Sequence, residues 1–316
     1  MFRWFTGKIA HLSTWCGFEI GCAIAKGFPR AVFWLSDTLA QFGHFAFRSF
    51  RNRSVGNLRV ALGDDIDDSA IDAMARRTLR NFFYSCAEIL IVLKSSDNEI
   101  KARIPILGRE NLDAALAKGR GVVVLSAHLG NFFLLGGRLT LEGYETFVLV
   151  NQPRDGRYAD MMDRYRRQVR QRSIHARPRR EALRELNSVL RRNQVAVLIA
   201  DEFRRASGIE TPFFGGTVIS RRGPATLALR TGAAVVPACL VRQPDDSLKL
   251  MIEPELELER SGPVAEQVRV STIRITQWLE RTVRRYPDQW NWMNIRWWVE
   301  KSEKLASQQQ GFRRAV

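Results

Sequence analysis

The fold class follows from one segment, Gly121-Val-Val-Val-Leu-Ser-Ala127-His128-Leu-Gly130-Asn131. Its first half is a continuous apolar, largely β-branched run after a glycine, which is typical of a strand buried on both faces. Residues 131–141 then follow the spacing of a helix. His128 stands at the junction, where an imidazole is a candidate general base on a hydroxyl. The helix N-terminus behind it can stabilise developing negative charge.

Strands and helices alternate downstream of this segment. We predict strands at 146–150, 195–200, 233–241 and 248–252, and helices at about 157–172, 180–193, 223–231 and 264–285. The alternation predicts an α/β fold in which a mostly parallel central sheet is flanked by helices. Such sheets place their sites beyond the carboxyl ends of the strands. We therefore expect a site that contains His128 and Asp201, because each directly follows a predicted strand.

The first hundred residues are predicted to be mostly helical. Two segments, 1–16 and 31–47, combine apolar aromatic residues with neighbouring lysines and arginines. Helices of this kind enter the headgroup layer of a membrane, although packing on the domain core is the alternative. Ser69 followed by Asp72 resembles a capping box for a helix that reaches about Lys94. We divide the chain into a helical region with an interfacial segment (1–100), an α/β domain (101–300) and a frayed tail (301–316).

The net charge of the chain limits the classes of partner that we expect it to bind. Lysine and arginine number 49 against 33 acidic residues, which gives a formal net charge of +16. Such a field attracts nucleic acid, anionic lipid headgroups or an acidic or phosphorylated carrier. No nucleic-acid recognition motif accompanies it, so we expect no nucleic-acid partner. Metal-ligand spacing and glycine-rich nucleotide motifs are also absent from the sequence, so we expect no metal ion and no cofactor. The longest uncharged segment, 121–137, is too short and too polar to predict a transmembrane helix.

Four stretches carry a resemblance to a known family. They are Ser126-Ala-His128-Leu-Gly130-Asn131-Phe, Ile199-Ala-Asp201-Glu202, the pair Thr211–Gly215 with Gly223–Pro237, and Pro287-Asp-Gln289-Trp290-Asn-Trp292. In this order and spacing they resemble the lipid A late acyltransferase family, within the lysophospholipid acyltransferase superfamily. The similarity covers about residues 25–300.

The resemblance implies acyl transfer from a thioester to a hydroxyl of a lipid A-like or other lipid acceptor. The donor would be acyl carrier protein or acyl-coenzyme A, and His128 would deprotonate the acceptor. The reaction would take place on an anionic membrane surface, at the cytoplasmic face of a bacterial inner membrane, within lipid A and lipopolysaccharide biosynthesis. Basic residues would hold phosphates on the acceptor and on the prosthetic arm of the carrier.

The sequence departs from the family at the acid of its HxxxxD/E motif, where Phe133 stands. That acid would orient the imidazole, and loss of an orienting acid costs about four orders of magnitude in a serine-protease triad. Three interpretations remain open. Another carboxylate, Asp201 or Glu202, replaces it; a backbone carbonyl orients His128; or the protein is a catalytically degenerate homologue that binds lipid or acyl carrier.

A second departure concerns the acceptor. Gln152 stands where the family usually has an arginine, and Arg154 or Arg157 is expected to supply the charge. The catalytic candidates are thus His128 and Asp201. The substrate-binding candidates are Asn131, Arg154, Arg157, Glu202, Phe213, Phe214 and Gly223. Three of them have a structural alternative: Asn131 as a helix cap, and the two phenylalanines as core residues instead of walls of an acyl groove. Asp201 as a loop cap is a further alternative.

Overall fold

A computed structural model of the chain describes residues 19–63, 66–151, 156–203 and 207–292. The aromatic segment 1–16, Arg154 and the tail 301–316 lie outside the described residues. So does the side chain of Arg157, although its backbone is helical.

The N-terminal part is helical, as predicted. Residues 19–27 are helical. Four helices follow: α1 (Pro29–Ala46), α2 (Arg48–Leu62), α3 (Asp68–Val92) and α4 (Asp97–Arg103). The buried side of α1, formed by Ser36, Ala40 and Gly43, consists of small residues. Its small side chains allow α1 to pack closely against α3.

The capping box predicted at Ser69 and Asp72 is wrong. Asp67 caps α3 instead, because its carboxylate accepts a hydrogen bond from the Ala70 amide at 2.7 Å. The Ser69 hydroxyl donates to that same carboxylate. A true capping box begins the next helix, where Ser96 and Glu99 exchange hydrogen bonds between side chain and backbone.

The remainder of the chain alternates strands and helices. The elements are β1 (Ile106–Leu107), α5 (Arg109–Leu116), β2 (Val122–Ser126), α6 (Phe132–Leu141), β3 (Thr146–Val150), α7 (Gly156–Gln168), β4 (Arg172–His175), α8 (Arg179–Arg191), β5 (Val195–Ile199), β6 (Ile209–Phe213), β7 (Gly216–Ser220), α9 (Gly223–Thr231), β8 (Ala234–Arg242), β9 (Leu248–Ile252) and α10 (Val264–Arg285). A short 3₁₀ helix, Pro287–Gln289, follows α10.

The central sheet has seven strands in the order β1-β9-β8-β2-β5-β3-β4. All its pairings are parallel except β8 with β9. The predicted α/β fold with a mostly parallel sheet is therefore confirmed. Two features differ from the prediction. The helix predicted to reach residue 172 ends at Gln168, and β4 follows it. The second difference is an antiparallel hairpin of β6 and β7, which lies apart from the central sheet.

Strand β2 lies at the centre of the molecule, and all five of its residues are buried. Its side chains alternate between two hydrophobic clusters: Val123 and Leu125 belong to one, and Val122 and Val124 to the other. A strand enclosed on both faces needs an uninterrupted apolar run, which explains why the sequence revealed it.

Helix α1 carries an exposed apolar face. Trp34 is 69% exposed and Phe45 is 71% exposed, and the neighbouring aromatic residues Phe28, Phe42, Phe47 and Phe50 are also exposed. Arg30, Arg48 and Arg51 lie among them in the sequence. We call these six aromatic residues the aromatic surface. In the described part of the chain, no helix has the length and apolar character needed to cross a bilayer.

Candidate active site

The fold brings His128 and Asp201 together. Strands β2 and β5 are parallel neighbours with Ser126 opposite Ile199, so the two residues leave the sheet at the same edge. His128 Nδ1 lies 2.8 Å from Asp201 Oδ1, and the His128 amide donates to Asp201 Oδ2 at 2.8 Å. One carboxylate thus contacts both the ring and the backbone of His128, which fixes the position of the ring.

Trp290 completes the surroundings of Asp201. Its indole Nε1 donates to Asp201 Oδ2 at 2.8 Å, and both side chains are fully enclosed. A buried carboxylate is tolerated when its oxygens are well satisfied by donors. Trp290 belongs to the motif at 287–292 that carries the family resemblance, but no local pattern in the sequence indicates its contact with Asp201.

His128 and Asp201 each shift the pKa of the other. Burial lowers the pKa of His128, but the charge of Asp201 and its hydrogen bond outweigh burial, so the pKa of the imidazole lies above its ordinary value. Burial alone would raise the pKa of Asp201, yet the charge of His128 and the bonds from His128 and Trp290 keep it below its ordinary value. Asp201 is therefore ionised at neutral pH. It holds the proton on Nδ1, which leaves Nε2 as the basic nitrogen.

Residues 287–292 also hold the loop that carries His128. The Gly130 amide donates to the Gln289 carbonyl at 2.9 Å, and the Asn291 amide donates to the His128 carbonyl at 3.1 Å. Gly130 has φ +58°, and a Cβ there would lie 2.1 Å from the Leu240 carbonyl oxygen. Only glycine fits this position, so the glycine of the His128 motif serves the close approach of two backbones.

Asn131 lies behind this loop and is 1% exposed. It occupies the N-cap position of α6 but makes no capping hydrogen bond, so the helix-cap interpretation is wrong. Its Nδ2 donates to Glu88 Oε2 at 2.9 Å, and Glu88 pairs with the buried Arg242 at 2.7 Å. Asn131 is thus bound to interior groups and, unlike Gly130, does not line the groove in front of His128.

A groove of about 2250 Å³ opens in front of His128. One part of its wall is apolar and includes Phe82, Cys86, Ile89, Phe132 and Phe133. Another part is cationic and includes Arg177, Arg179, Arg180, Arg184, Arg221, Arg222 and Arg230. An apolar wall beside a cationic one suits a ligand that has a hydrocarbon chain and a phosphate.

Phe133, the residue in place of the family acid, lies in the apolar wall. It is 42% exposed and stacks on Phe132, with ring centroids 4.4 Å apart. Phe132 in turn meets the edge of the His128 ring, with centroids 4.8 Å apart. The position that would carry a carboxylate in the family is therefore occupied by an aromatic ring, which is separated from the imidazole by Phe132.

The remaining candidates are divided between groove and core. Glu202 and Gly223 line the groove, and Glu202 pairs with Arg221 at 2.5 Å. Phe213 and Phe214 are 1% and 7% exposed and pack with Trp290 and Trp292. The structure thus places both side chains in the core, as in the alternative interpretation, where complete burial stabilises such side chains by about 1.5–3 kcal/mol each. The sequence analysis also missed Arg221 and Arg222, which directly precede Gly223.

Trp290 provides the first prediction. Trp290→Phe removes the donor to Asp201 Oδ2 and keeps most of the buried ring. We expect the rate of the reaction at this site to fall about 10-fold, which corresponds to about 1.4 kcal/mol, the size of a hydrogen bond to a charged group. Steady-state rates measure it, and Trp278→Phe, another buried tryptophan bonded to a carboxylate (Glu253), is the matched control. Equal losses in both variants would show that the effect is one of packing.

Comparison with known proteins places the site in a family. A family model described as bacterial lipid A biosynthesis acyltransferase matches residues 4–298. A phosphatidylinositol mannoside acyltransferase of Mycobacterium tuberculosis (strain ATCC 25618 / H37Rv) is 31% identical over 207 residues, 64% of this chain and 62% of that protein. Its counterpart from Mycolicibacterium smegmatis is 24% identical over 297 residues, 91% and 92% of the two chains.

A lipid A biosynthesis palmitoleoyltransferase of Escherichia coli (strain K12) is 26% identical over 203 residues, 63% of each chain. The match to the M. tuberculosis relative spans about 62% of its length. The family model, in contrast, covers nearly all of the chain, including the strand ends that carry His128 and Asp201 and the segment that carries Trp290. The chain therefore belongs to the bacterial lipid A biosynthesis acyltransferase family.

Proposed function

We propose that this protein transfers a fatty acyl group from an acyl thioester to a hydroxyl of a lipid acceptor, with His128 as the general base. The observation that carries the proposal is the 2.8 Å contact between His128 Nδ1 and the buried carboxylate of Asp201, beside a groove with apolar and cationic walls. Asp201 takes the role that the family acid would have at position 133.

The chemistry follows from this pair. The acceptor hydroxyl gives its proton to His128 Nε2 while its oxygen attacks the thioester carbonyl carbon, and a C–O bond forms. The resulting imidazolium is stabilised by Asp201, as in hydrolase triads. When the tetrahedral oxyanion collapses, the C–S bond breaks and the thiolate leaving group takes the proton from Nε2. The products are an ester and a free thiol, and His128 returns to its neutral form.

The walls of the groove suggest where the substrates lie. The acyl chain fits the apolar wall, which includes Phe132 and Phe133 and passes next to the imidazole. Phosphates of the acceptor, or of the prosthetic arm of acyl carrier protein or coenzyme A, fit the cationic wall around Arg180 and Arg222. Arg154 and Arg157 remain further candidates for these phosphates.

The acceptor class is suggested by the names of the relatives, phosphatidylinositol mannoside acyltransferase and lipid A biosynthesis palmitoleoyltransferase. Both names refer to lipids that carry sugars and phosphate. We propose a phosphate-bearing glycolipid as acceptor, with a lipid A precursor as one member of the class. The aromatic surface and the net charge of +16 support action at an anionic membrane, at the cytoplasmic face of a bacterial inner membrane.

The test is a matrix of donors and acceptors. Purified protein is incubated with palmitoyl-coenzyme A or palmitoyl-acyl carrier protein, and with a lipid A precursor or a phosphatidylinositol mannoside in vesicles. We expect at least one pair to give an acylated lipid, seen by mass spectrometry as a gain of one acyl group. Absence of product from every pair, together with retained binding of donor or acceptor, would favour the alternative of a non-catalytic lipid- or carrier-binding homologue.

A further inference from the structure

Helix α3 separates two cavities. Phe82, Cys86 and Ile89 face the groove that contains His128. Tyr84, Glu88 and Ile91 lie on the other side of the helix and face a second cavity of about 890 Å³. Its volume lies within the range of small-molecule sites, about 300–1,000 Å³. A ligand there would not meet the reacting groups.

The second cavity is bounded by α1, α3, α4 and the turn between β8 and β9. Four carboxylates face it, and each has a cationic partner. Asp37 and Asp246 both pair with Arg80 at 2.7 Å, Glu99 pairs with Lys26 at 3.2 Å, and Glu88 pairs with Arg242 at 2.7 Å. The acidic groups are therefore neutralised by partners that belong to the fold.

Two arginines of the cavity are not among the salt-bridge partners of these four carboxylates. Arg30 on α1 and Arg103 on α4 both line it, and neither forms a salt bridge within 4.0 Å with a carboxylate of the described residues, although the charge of Arg103 also acts on Glu88. Tyr84, whose hydroxyl donates to Asp37 at 2.9 Å, stays neutral, because burial and that bond raise its pKa to about 12. Two arginines that line a common cavity from two helices suit a phosphate, because a guanidinium group binds phosphate oxygens in a bidentate manner.

The aromatic residues that line the cavity indicate which kind of molecule would carry the phosphate. Trp34 lines the cavity and is also part of the aromatic surface, where it is 69% exposed. Phe33 lines the same cavity beside it. Exposed aromatic side chains next to arginines match the boundary between headgroups and acyl chains of a bilayer. A phosphate bound between Arg30 and Arg103 would thus leave its acyl chains against Trp34.

We propose that the second cavity binds the headgroup phosphate of one anionic phospholipid, which is neither the donor nor the acceptor of acyl transfer. Arg30 and Arg103 bind the phosphate, and Trp34 contacts the acyl chains. This lipid fixes α1 and α4 to the membrane on the side of α3 opposite the active-site groove.

Lipid retention tests the proposal without reference to acyl transfer. The full-length protein is equilibrated with detergent micelles containing equal amounts of phosphatidylglycerol and phosphatidylcholine, and bound lipid is counted by native mass spectrometry. We expect one phosphatidylglycerol per chain for the wild type, and at least a 10-fold loss of retention for Arg30→Gln/Arg103→Gln. Each single substitution should give a partial loss, which guards against misfolding of the double variant.

The matched control is Arg48→Gln/Arg51→Gln. It removes the same charge next to the aromatic residues Phe47 and Phe50, at positions that do not line the cavity. We expect retention as in the wild type. Equal loss in both double variants, or equal retention of phosphatidylcholine, would show diffuse attraction and overturn the proposal. Displacement of the lipid by 10 mM inorganic phosphate would also overturn it, because the site would then bind the free ion.

Discussion

Acyl transfer by His128→Ala is expected to fall by about 10⁴-fold at neutral pH, the upper range for loss of a general acid–base group. Without the imidazole, no other histidine of the described residues lines the groove to accept the hydroxyl proton. The residual rate reflects binding and orientation of the two substrates alone. Initial rates of lipid acylation, with the donor and acceptor that give product, measure the effect.

A second histidine provides a matched control. His44 Nε2 also contacts an aspartate, Asp72, at 3.0 Å, but this pair joins α1 to α3 and does not line the groove. His44→Ala should therefore retain the wild-type rate. A rate for His128→Ala within a factor of three of the wild type would exclude His128 as the base and remove the basis of the proposed function.

The second large effect is expected for Asp201→Asn, which should reduce the rate by about 10³-fold. In the proposed mechanism Asp201 orients the ring of His128 and stabilises its imidazolium, and loss of the corresponding acid costs about 10⁴-fold in a serine-protease triad. Asp201 acts through His128, so its loss should not exceed the loss in His128→Ala, and the double variant should match His128→Ala. Asp72→Asn, from the second histidine–aspartate pair, is the matched control and should have no effect.

Circular dichroism of Asp201→Asn separates catalysis from folding. Asp201 is buried, and its Oδ2 accepts bonds from the His128 amide and from Trp290 Nε1. The single acceptor oxygen of an asparagine can keep these two bonds, but its Nδ2 cannot accept the proton of His128 Nδ1. We expect a folded protein with the secondary structure of the wild type. If folded Asp201→Asn keeps a rate near that of the wild type, His128 is oriented by another group and the account of this pair is wrong.

Much of the fold could be predicted because the central strands are enclosed on both faces. Strands β2 and β5 are almost entirely apolar and buried, and the half-buried β3 has the predicted bounds. Strand β4 could not be found in this way because it is an edge strand in which only Ile174 is buried. Its pattern therefore merges with the preceding arginine-rich helix. The hairpin of β6 and β7 contains a proline and a glycine turn, which weaken the strand signal.

The candidate site was predictable where it depends on strand ends. His128 and Asp201 each follow a buried strand, and parallel strands bring such residues to one edge. That β2 and β5 are direct neighbours depends on the order of strands in the sheet, which no local pattern encodes. The contact of Trp290 with Asp201 joins residues 89 positions apart, so it depends on the path of the chain after α10.

Asn131 and the two phenylalanines at 213 and 214 show that sequence does not tell which way a side chain points. Asn131 begins a helix, as a capping residue does, but its amide turns inward to Glu88 and Ser85. Phe213 and Phe214 have the composition of a groove wall and of a core alike, and tertiary packing decides for the core. Phe133, in contrast, is an apolar residue that lies outside the core, because its side chain lines the groove near the imidazole.

The central claim is that Asp201 serves His128 in place of the family acid, and the pH dependence of kcat/KM tests it most directly. In the proposed mechanism the neutral imidazole is the active form, so the rate is expected to rise with pH through the pKa of His128. Because Asp201 raises that pKa, the rising limb of the wild type should lie above the ordinary value of about 6.5. In Asp201→Asn the limb should shift to lower pH, and in Asp72→Asn it should not move. An unchanged limb in Asp201→Asn would contradict the assignment of Asp201.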